Sequence, residues 1–519
     1  MTTEKSQASR FWADQLAAEA KPRDGKHVVG DAKTPSGRIH VGSLRGVLIH
    51  DVIYKALLDA GHKADYVYRF DDFDPMDGFP PGIPESFREH MGRPLCDVPS
   101  PEKGFDSFAQ FYALEFRDVF EKLDCKPRIA WSSEYYRAGK LNGLIRKALE
   151  RAEAFNEINA RVAHVQKPAG WLPINVVCEK CGKIGTTSVN DFDGQTVAYQ
   201  CKDVAYAKGC GHSGRISPFD GHAKLTWKAD WAAAFVLHDV TIEGAGKDHY
   251  AAGGSRDVAN EVVEKVFDYP HPYNFPYEFF IFRGKKMSTS KGVGVSAKDM
   301  GENLPPELLR FLMTRYKPNT AIDFNPDGET IPRLFSDWDR FSDVYFGKAE
   351  ARDPDIPRIF ALSQIGGKPR DHFHPPFSFV SFLVQVPHVD GQAAMESYKG
   401  APLSPEEQAE LAHRVQYAKT WLSTFAPDEA KLAIVEKPDF GALSVEQKAA
   451  LSDFADALEN SAVTMDAVKP IAEKNGLSLN QFFQAAYLVF LGRPKGPKLL
   501  PFLAALEKGF VARRLRGQA

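Results

Sequence analysis

The order of apolar and polar positions predicts an α/β unit at the start of the chain. His27-Val28-Val29-Gly30 reads as a short buried strand, followed by small and polar residues from Asp31 to Gly37. From Leu44 the apolar residues Val47, Leu48, Val52, Ile53, Ala56 and Leu57 recur at three- and four-residue steps, the period of a helix. Gly61 suits the position just past its C-cap. Ala64 to Phe70 predicts a second strand, with Asp71, Asp72 and Asp74 at its carboxyl end, the side where parallel sheets bind ligands. Polar, aromatic and helical stretches alternate over residues 85–165, and a Gly-rich, cysteine-bearing segment interrupts them. From residue 226 the α/β pattern resumes. It predicts a strand over Asp239–Glu243, a turn at Gly244-Ala245-Gly246, a helix over Asp248–Phe267 and a strand over Tyr277–Arg283. The simplest account is one parallel nucleotide-binding sheet split by an insertion. Pro, Gly, His and Phe increase over residues 350–405, and from Ser404 the pattern is mostly helical.

Composition bounds this picture. At roughly 150 residues per domain, 519 residues correspond to about three to four domains. Hydrophobic residues at 43% and charged residues at 26% exclude a disordered or fibrous chain. A net charge of -3 excludes a uniformly basic coat, but not a local basic groove. No apolar run approaches the ~18 residues that span a bilayer. The stretch Met1 to Gln15 lacks a signal-peptide core. A soluble, cytoplasmic protein without a membrane partner is expected.

Two segments carry phosphate chemistry. Thr34-Pro35-Ser36-Gly37-Arg38-Ile39-His40-Val41-Gly42-Ser43 follows a strand and opens a helix. A helix start offers free N–H groups and the positive end of its dipole. His40 can donate to phosphate oxygens as charge builds, and Gly42 lets a flat base approach the backbone. The competing reading is a helix start capped by Thr34 or Ser36 with a surface histidine. The second segment, Gly284-Lys285-Lys286-Met287-Ser288-Thr289-Ser290-Lys291-Gly292, also follows a strand. Its lysines and serines can close over a triphosphate; alone, it reads as a solvated basic turn. A third group, Trp227, Asp230, Trp231, Asp248, His249, Tyr277 and Glu278, offers aromatic faces and carboxylates suited to a cationic amine. Core packing and helix capping compete with that reading.

Cysteine supplies a further motif. Of six cysteines, Cys178-x2-Cys181, Cys201 and Cys210 lie close in sequence, with His212 two residues beyond. The spacing suits a closed tetrahedral structural Zn2+ site. Cys210 and His212 compete for the fourth place, with Cys210 preferred.

Taken together, the two phosphate motifs resemble the HIGH and KMSKS signatures of class I aminoacyl-tRNA synthetases. Ser43 replaces the last His of the first. Thr289 replaces the second Lys of the second, with Lys291 following. The stretches Thr34 to Arg45, Asp71 to Asp74, Leu225 to Trp231, Gly246 to His249 and Tyr277 to Gly292 resemble class I lysyl-tRNA synthetases. That resemblance implies a Rossmann-like parallel-sheet catalytic domain with a zinc-bearing insertion, followed by an all-α C-terminal domain. The expected divisions are 20–150 and 226–300 for the two catalytic halves, 151–225 for the insertion, 301–350 for a stem-contact connection and 351–519 for a helical anticodon-binding domain.

The resemblance also implies site residues. ATP with Mg2+ would be held by Pro35, His40, Gly42, Ser43, Gly246, Asp248, Lys286, Met287, Ser288, Ser290 and Lys291, with His40, Lys286 and Lys291 catalytic. L-lysine would be held by Ala32, Thr34, Trp227, His249 and Tyr277, Ala32 standing where some relatives have Gly. The implied RNA partner is tRNA(Lys). Leu477 to Leu515 resembles the anticodon end, where Lys495, Lys498, Lys508, Arg513, Arg514 and Arg516 make a basic terminus. Some relatives carry a further Cys/His cluster near residue 100; the stretch Pro99 to Phe111 has neither residue, so no second zinc is expected. A glutamyl-tRNA synthetase-like enzyme and a small-molecule nucleotidyltransferase are the alternative readings.

Overall fold

A computed structural model describes residues 11–287, 294–386, 390–431, 434–460, 465–496, 499–504 and 506–518. It divides into two compact units, Met1–Asn325 with Glu350–Pro369, and Pro326–Ala349 with Arg370–Ala519.

The first unit is built on a five-stranded parallel sheet. Its order is Tyr273–Tyr277, Ile242–Gly246, Lys26–Lys33, Lys63–Phe70, Arg128–Trp131. The chain moves outward from Lys26–Lys33 in one direction, then returns and moves outward in the other. The strand order therefore reverses between Lys26–Lys33 and Ile242–Gly246, and the crevice at their carboxyl ends is where such a sheet binds ligands. Helix Leu44–Asp59 makes the first crossover, with Leu44, Val47, Leu48, Val52 and Ile53 buried. It packs against the sheet, helix Trp12–Glu19 and helix Pro306–Thr314, which explains burial on more than one face. Its buried charges have partners: Arg45 donates to the carbonyls of Met313 and Lys317, both at 2.7 Å, and Asp51 accepts from Arg310 at 2.6 Å.

Four details differ from the expected pattern. The fourth strand begins at Ile242, because Asp239 adopts φ 55 in the turn after helix Trp227–Leu237. Gly244-Ala245-Gly246 is strand, not turn. Gly244 is required there because a Cβ would lie 2.6 Å from the Phe275 ring on the neighbouring strand. The expected helix over Asp248–Phe267 is a short turn, Lys247–Tyr250, followed by helix Ser255–Lys265. Tyr277–Arg283 is not one strand. Tyr277 ends a strand of the main sheet, and Phe280–Phe282 joins Lys285–Lys286 and Ile322–Phe324 in a second sheet.

The cysteine-bearing insertion forms small antiparallel sheets. Ile174–Val176 pairs with Ala223–Leu225, and Val197–Cys201 lies between Thr187–Phe192 and Ser213–Ile216.

The second unit is helical. Its major helices include Thr330–Tyr345, Pro405–Thr424, Val445–Asn460 and Leu479–Leu491. Ser404 with Glu407, and Ser478 with Gln481, form capping boxes that start two of them. Phe335 stacks on Phe377 at 3.9 Å, and Phe454 meets Phe482 edge-on at 5.2 Å. The compact units do not divide at residue 350. Helix Ile356–Leu362 stays with the sheet because Arg310 donates to the Leu362 carbonyl at 2.7 Å and Arg358 pairs with Asp14 and Asp59 at 2.7 Å. No helix among the described residues is long and apolar enough to cross a membrane.

Candidate active site

The first phosphate segment lies at the carboxyl edge of the central strand. Thr34 caps no helix; its hydroxyl donates to Asp74 at 2.7 Å. Pro35 is buried, and His40 stands in extended backbone just before the turn Val41–Ser43. That turn is stitched to the segment after the Lys/Ser loop: Val41 N–H donates to the Val295 carbonyl at 3.0 Å, and Ala297 N–H to the Ile39 carbonyl at 2.9 Å. A Cβ on Gly42 would lie 2.9 Å from His40 Nδ1 and 3.1 Å from Met287 Cε, so a side chain there would collide with both. A Cβ on Gly294 would lie 2.4 Å from Met287 Cγ. Met287, 5% exposed, is thus buried between Gly42 and Gly294, and it joins two segments far apart in sequence. Lys286 ends the short strand Lys285–Lys286. Ser288, Ser290 and Lys291 lie outside the described residues. A cavity of about 450 Å³ opens beside His40, with Arg38, Tyr112 and Ser296 in its wall.

The aromatic group gathers on the other side of the switch point. Trp227 and Trp231, one helical turn apart, stack at 5.9 Å with 20° between their planes. His249 packs 5.7 Å from Trp227 and 5.4 Å from Trp231. Burial holds the His249 imidazole below its ordinary pKa, so it is neutral and can accept. Trp231 Nε1 donates to Glu243 at 2.6 Å, and Arg256 donates to the same oxygen at 3.0 Å. The other Glu243 oxygen lies 2.9 Å from where a Cβ on Gly30 would stand, which places this carboxylate against the central strand. Tyr277 OH lies 2.7 Å from the corresponding position on Gly46, beside Asp31. Burial, with the charges of Asp31, Glu243 and Asp248, raises the Tyr277 phenol well above its usual range and keeps it a neutral donor. Ala32 N–H donates to Asp31 at 2.8 Å. Asp248 Oδ1 sits 2.9 Å from where a Gly246 Cβ would be, so a side chain at 246 would push this carboxylate aside.

Sequence reasoning missed a buried ionic network behind these residues. Arg69 pairs with Asp71 and Asp230, each at 3.0 Å; Lys224 pairs with Asp74 at 2.8 Å and Asp230 at 3.0 Å. Tyr136 OH donates to Asp230, and Ser132 Oγ to Asp71 at 2.9 Å. Burial pushes the Asp71 carboxyl up to about 7 although Arg69 opposes it. Burial also works against charge on Lys224, but Asp230 and Asp74 overcome it and raise its pKa. The network ends on Thr34 through Asp74. The three aspartates were visible at a strand end; Lys224, on the far edge of the insertion, carried no local signal.

The four cysteines converge. Cys178 Sγ is 3.6 Å from Cys210 Sγ, Cys181 Sγ is 3.7 Å from Cys201 Sγ, and all four sulfurs lie within 4.8 Å of one another. Thiolates at about 2.3 Å from a tetrahedral Zn2+ would be about 3.8 Å apart, so the donor set fits that ion. Cys210 N–H donates to Cys201 Sγ at 3.3 Å, an orienting bond of the kind that surrounds metal thiolates. The His212 ring packs against Tyr199 and is not among the four clustered donors.

In the helical unit the basic terminus divides. Arg514 is buried and donates to the Val435 carbonyl at 2.8 Å; Arg516 pairs with Asp456 at 2.5 Å and Glu459 at 2.7 Å. Lys508 donates to the Glu459 carbonyl at 3.3 Å. These three hold helices together. Phe482 is core, and Lys498 lies outside the described residues. Arg513 and Lys495 remain at the surface.

Residues 10–366 match the family profile described as tRNA synthetases class I (K). A lysine–tRNA ligase of Methanosarcina acetivorans is 35% identical, covering 97% of this chain and 98% of its own length. A lysine–tRNA ligase of Archaeoglobus fulgidus is 33% identical, covering 97% and 99%. A solved glutamate tRNA ligase from Elizabethkingia meningosepticum is 14% identical with a TM-score of 0.44, covering 95% of this chain and 99% of its own.

Proposed function

The chain belongs to the class I (K) tRNA synthetases, and from that premise we propose that it is a lysine–tRNA ligase acting on L-lysine, ATP and tRNA(Lys). In this reading the lysine carboxylate attacks the α-phosphate of ATP, and pyrophosphate leaves. The terminal ribose hydroxyl of the tRNA then attacks the acyl carbon, and AMP leaves. No covalent enzyme nucleophile is needed; positioning and charge stabilisation supply the rate.

The residues divide between the two substrates. Pro35, His40, Gly42, Ser43 and Met287 hold the nucleotide on one side of the switch point, and Gly246 with Asp248 receives its ribose on the other. His40, Lys286 and Lys291 oppose the charge that develops on the phosphates, with Ser288 and Ser290 on the same loop. Mg2+, held mainly by phosphates and water, neutralises the triphosphate when bound. Ala32, Thr34, Trp227, His249 and Tyr277 form the lysine pocket. Trp227 offers a π face and His249 a neutral acceptor, and the carboxylates of Asp31 and Glu243 lie in the same neighbourhood, which suits an ammonium group. Cys178, Cys181, Cys201 and Cys210 hold a structural Zn2+ that ties the insertion together. Arg513 and Lys495 contribute to RNA binding at the helical end.

The observation that carries this reading is Met287 buried against Gly42, the glycine that His40 also flanks. It brings the two signature segments to one crevice. Pyrophosphate exchange with each amino acid in turn, with and without tRNA, tests it. Exchange dependent on lysine is expected, and its absence even with cognate tRNA refutes the proposal.

A further inference from the structure

The helical unit holds a second cluster of ligating side chains, separate from the crevice and the four cysteines. His372 and His374 stand on residues 370–376, a stretch without helix or strand. Glu410 faces them from helix Pro405–Thr424. One nitrogen of each imidazole and one Glu410 oxygen lie within 4.8 Å of one another, and the two rings are 4.4 Å apart.

The surrounding bonds orient these atoms. His372 Nδ1 is 3.1 Å from the Arg370 carbonyl. A carbonyl only accepts, so Nδ1 carries the proton and Nε2 keeps its lone pair. His374 Nε2 is 3.0 Å from Ser342 Oγ, which leaves Nδ1 facing Glu410 Oε1 at 3.4 Å. That separation exceeds the usual 2.7–3.2 Å of a hydrogen bond and leaves room for a cation held by a lone pair from each atom. Arg414 Nε donates to Glu410 at 2.7 Å and fixes the carboxylate, while Arg414 is itself neutralised by Asp339 at 2.6 Å. Anchored distal nitrogens and a hydrogen-bonded carboxylate are the usual outer surroundings of metal ligands. A cavity of about 860 Å³ opens on His372 and Glu410, with Asp371 and Glu406 at its wall.

We propose that His372, His374 and Glu410 form a second metal site, for a divalent first-row ion such as Zn2+, with a coordination position open to this cavity. Two imidazoles and a carboxylate suit such an ion. The ion pins the Pro- and His-rich segment 370–376 to helix Pro405–Thr424. The expectation of a single zinc weighed only the neighbourhood of residue 100 and gave no weight to this segment.

Elemental analysis of the full chain, loaded with Zn2+ and freed of excess, tests the site. Two equivalents are expected. His372→Ala should retain one, and Cys181→Ser should retain the other. With Co2+ as probe, His372→Ala should keep the intense sulfur-to-metal absorption and lose one equivalent of bound cobalt. A calorimetric titration of the wild-type chain with ZnCl2, after the weaker site has been stripped by a mild chelator, stands without any variant. It should show one saturable site, weakened at least about tenfold in His372→Gln. A single zinc equivalent in the wild type, or a second site unaffected by both His372 variants, overturns the proposal.

Discussion

Each unit of the molecule buries an arginine among acids, but the two networks end in different places. Arg69 lies beneath the carboxyl edge of a parallel sheet, and its network of Asp71, Asp230, Lys224 and Asp74 ends on Thr34 in the crevice. Arg414 lies among helices, and its bonds to Asp339, Glu410 and the Pro375 carbonyl fix a loop to a helix. A parallel sheet brings the ends of distant segments to one edge, so charges buried there lie behind a binding site. A helical unit has no such edge, and its buried charges order the packing instead. The basic C-terminus makes the same point: Arg514 and Arg516 looked like RNA contacts by composition and are engaged inside the unit.

The largest effects should come from breaking each network. Lys224→Met leaves Asp74 without its cation and Asp230 with Arg69 alone, and should lower stability by about 3–5 kcal/mol in chemical denaturation. Arg414→Met should cost a similar amount. The two should then separate: in enzyme that remains folded, Lys224→Met should raise the KM for lysine, and Arg414→Met should leave it unchanged. An equal effect on KM would remove the distinction between the networks.

His40→Ala should reduce turnover by about 10²–10³-fold with little change in thermal midpoint, as for loss of a donor to developing charge. A normal turnover would take His40 off the catalytic list.

A pH effect should follow from His238, whose pKa burial depresses to about 3, helped by the nearby charges of Arg69 and Arg128. Its neutral form is favoured in the folded state. The stabilisation is therefore complete above the unfolded pKa of about 6.5 and is lost as pH falls toward 3. Stability at pH 5 should be lower than at pH 8 by about 1–2 kcal/mol from this group, and His238→Gln should shrink that difference. An unchanged acid limb in the variant would assign the sensitivity elsewhere.

The smallest effect should belong to Trp227→Ala. Trp227 is 48% exposed, so its loss should barely move stability, but the KM for lysine should rise about tenfold, roughly 1.4 kcal/mol. A variant that loses stability without a change in KM would make Trp227 a packing residue.

The hydrophobic period exposed the first strand, the crossover helix and the second strand, because their apolar faces are locally complete. It misread Gly244-Ala245-Gly246, where small residues signal a turn by propensity, while Gly244 is required by the Phe275 ring across the sheet. It also joined Tyr277 to Phe280–Phe282, since nothing local marks a strand that changes sheets. The signature segments were legible as residue types at characteristic offsets. Their meeting through Met287 and the pairing of Lys224 with Asp74 were not, because both depend on contacts between segments far apart in the chain.

The proposed activity requires that the crevice joining these segments activate lysine for transfer to RNA. Aminoacylation of a tRNA(Lys) transcript by the purified chain, with labelled lysine or labelled glutamate, tests it most directly. Lysine should be esterified to the transcript in an ATP-dependent reaction that His40→Ala nearly abolishes, and glutamate should not be. Transfer of glutamate, or no transfer of lysine by a folded chain, would contradict the account.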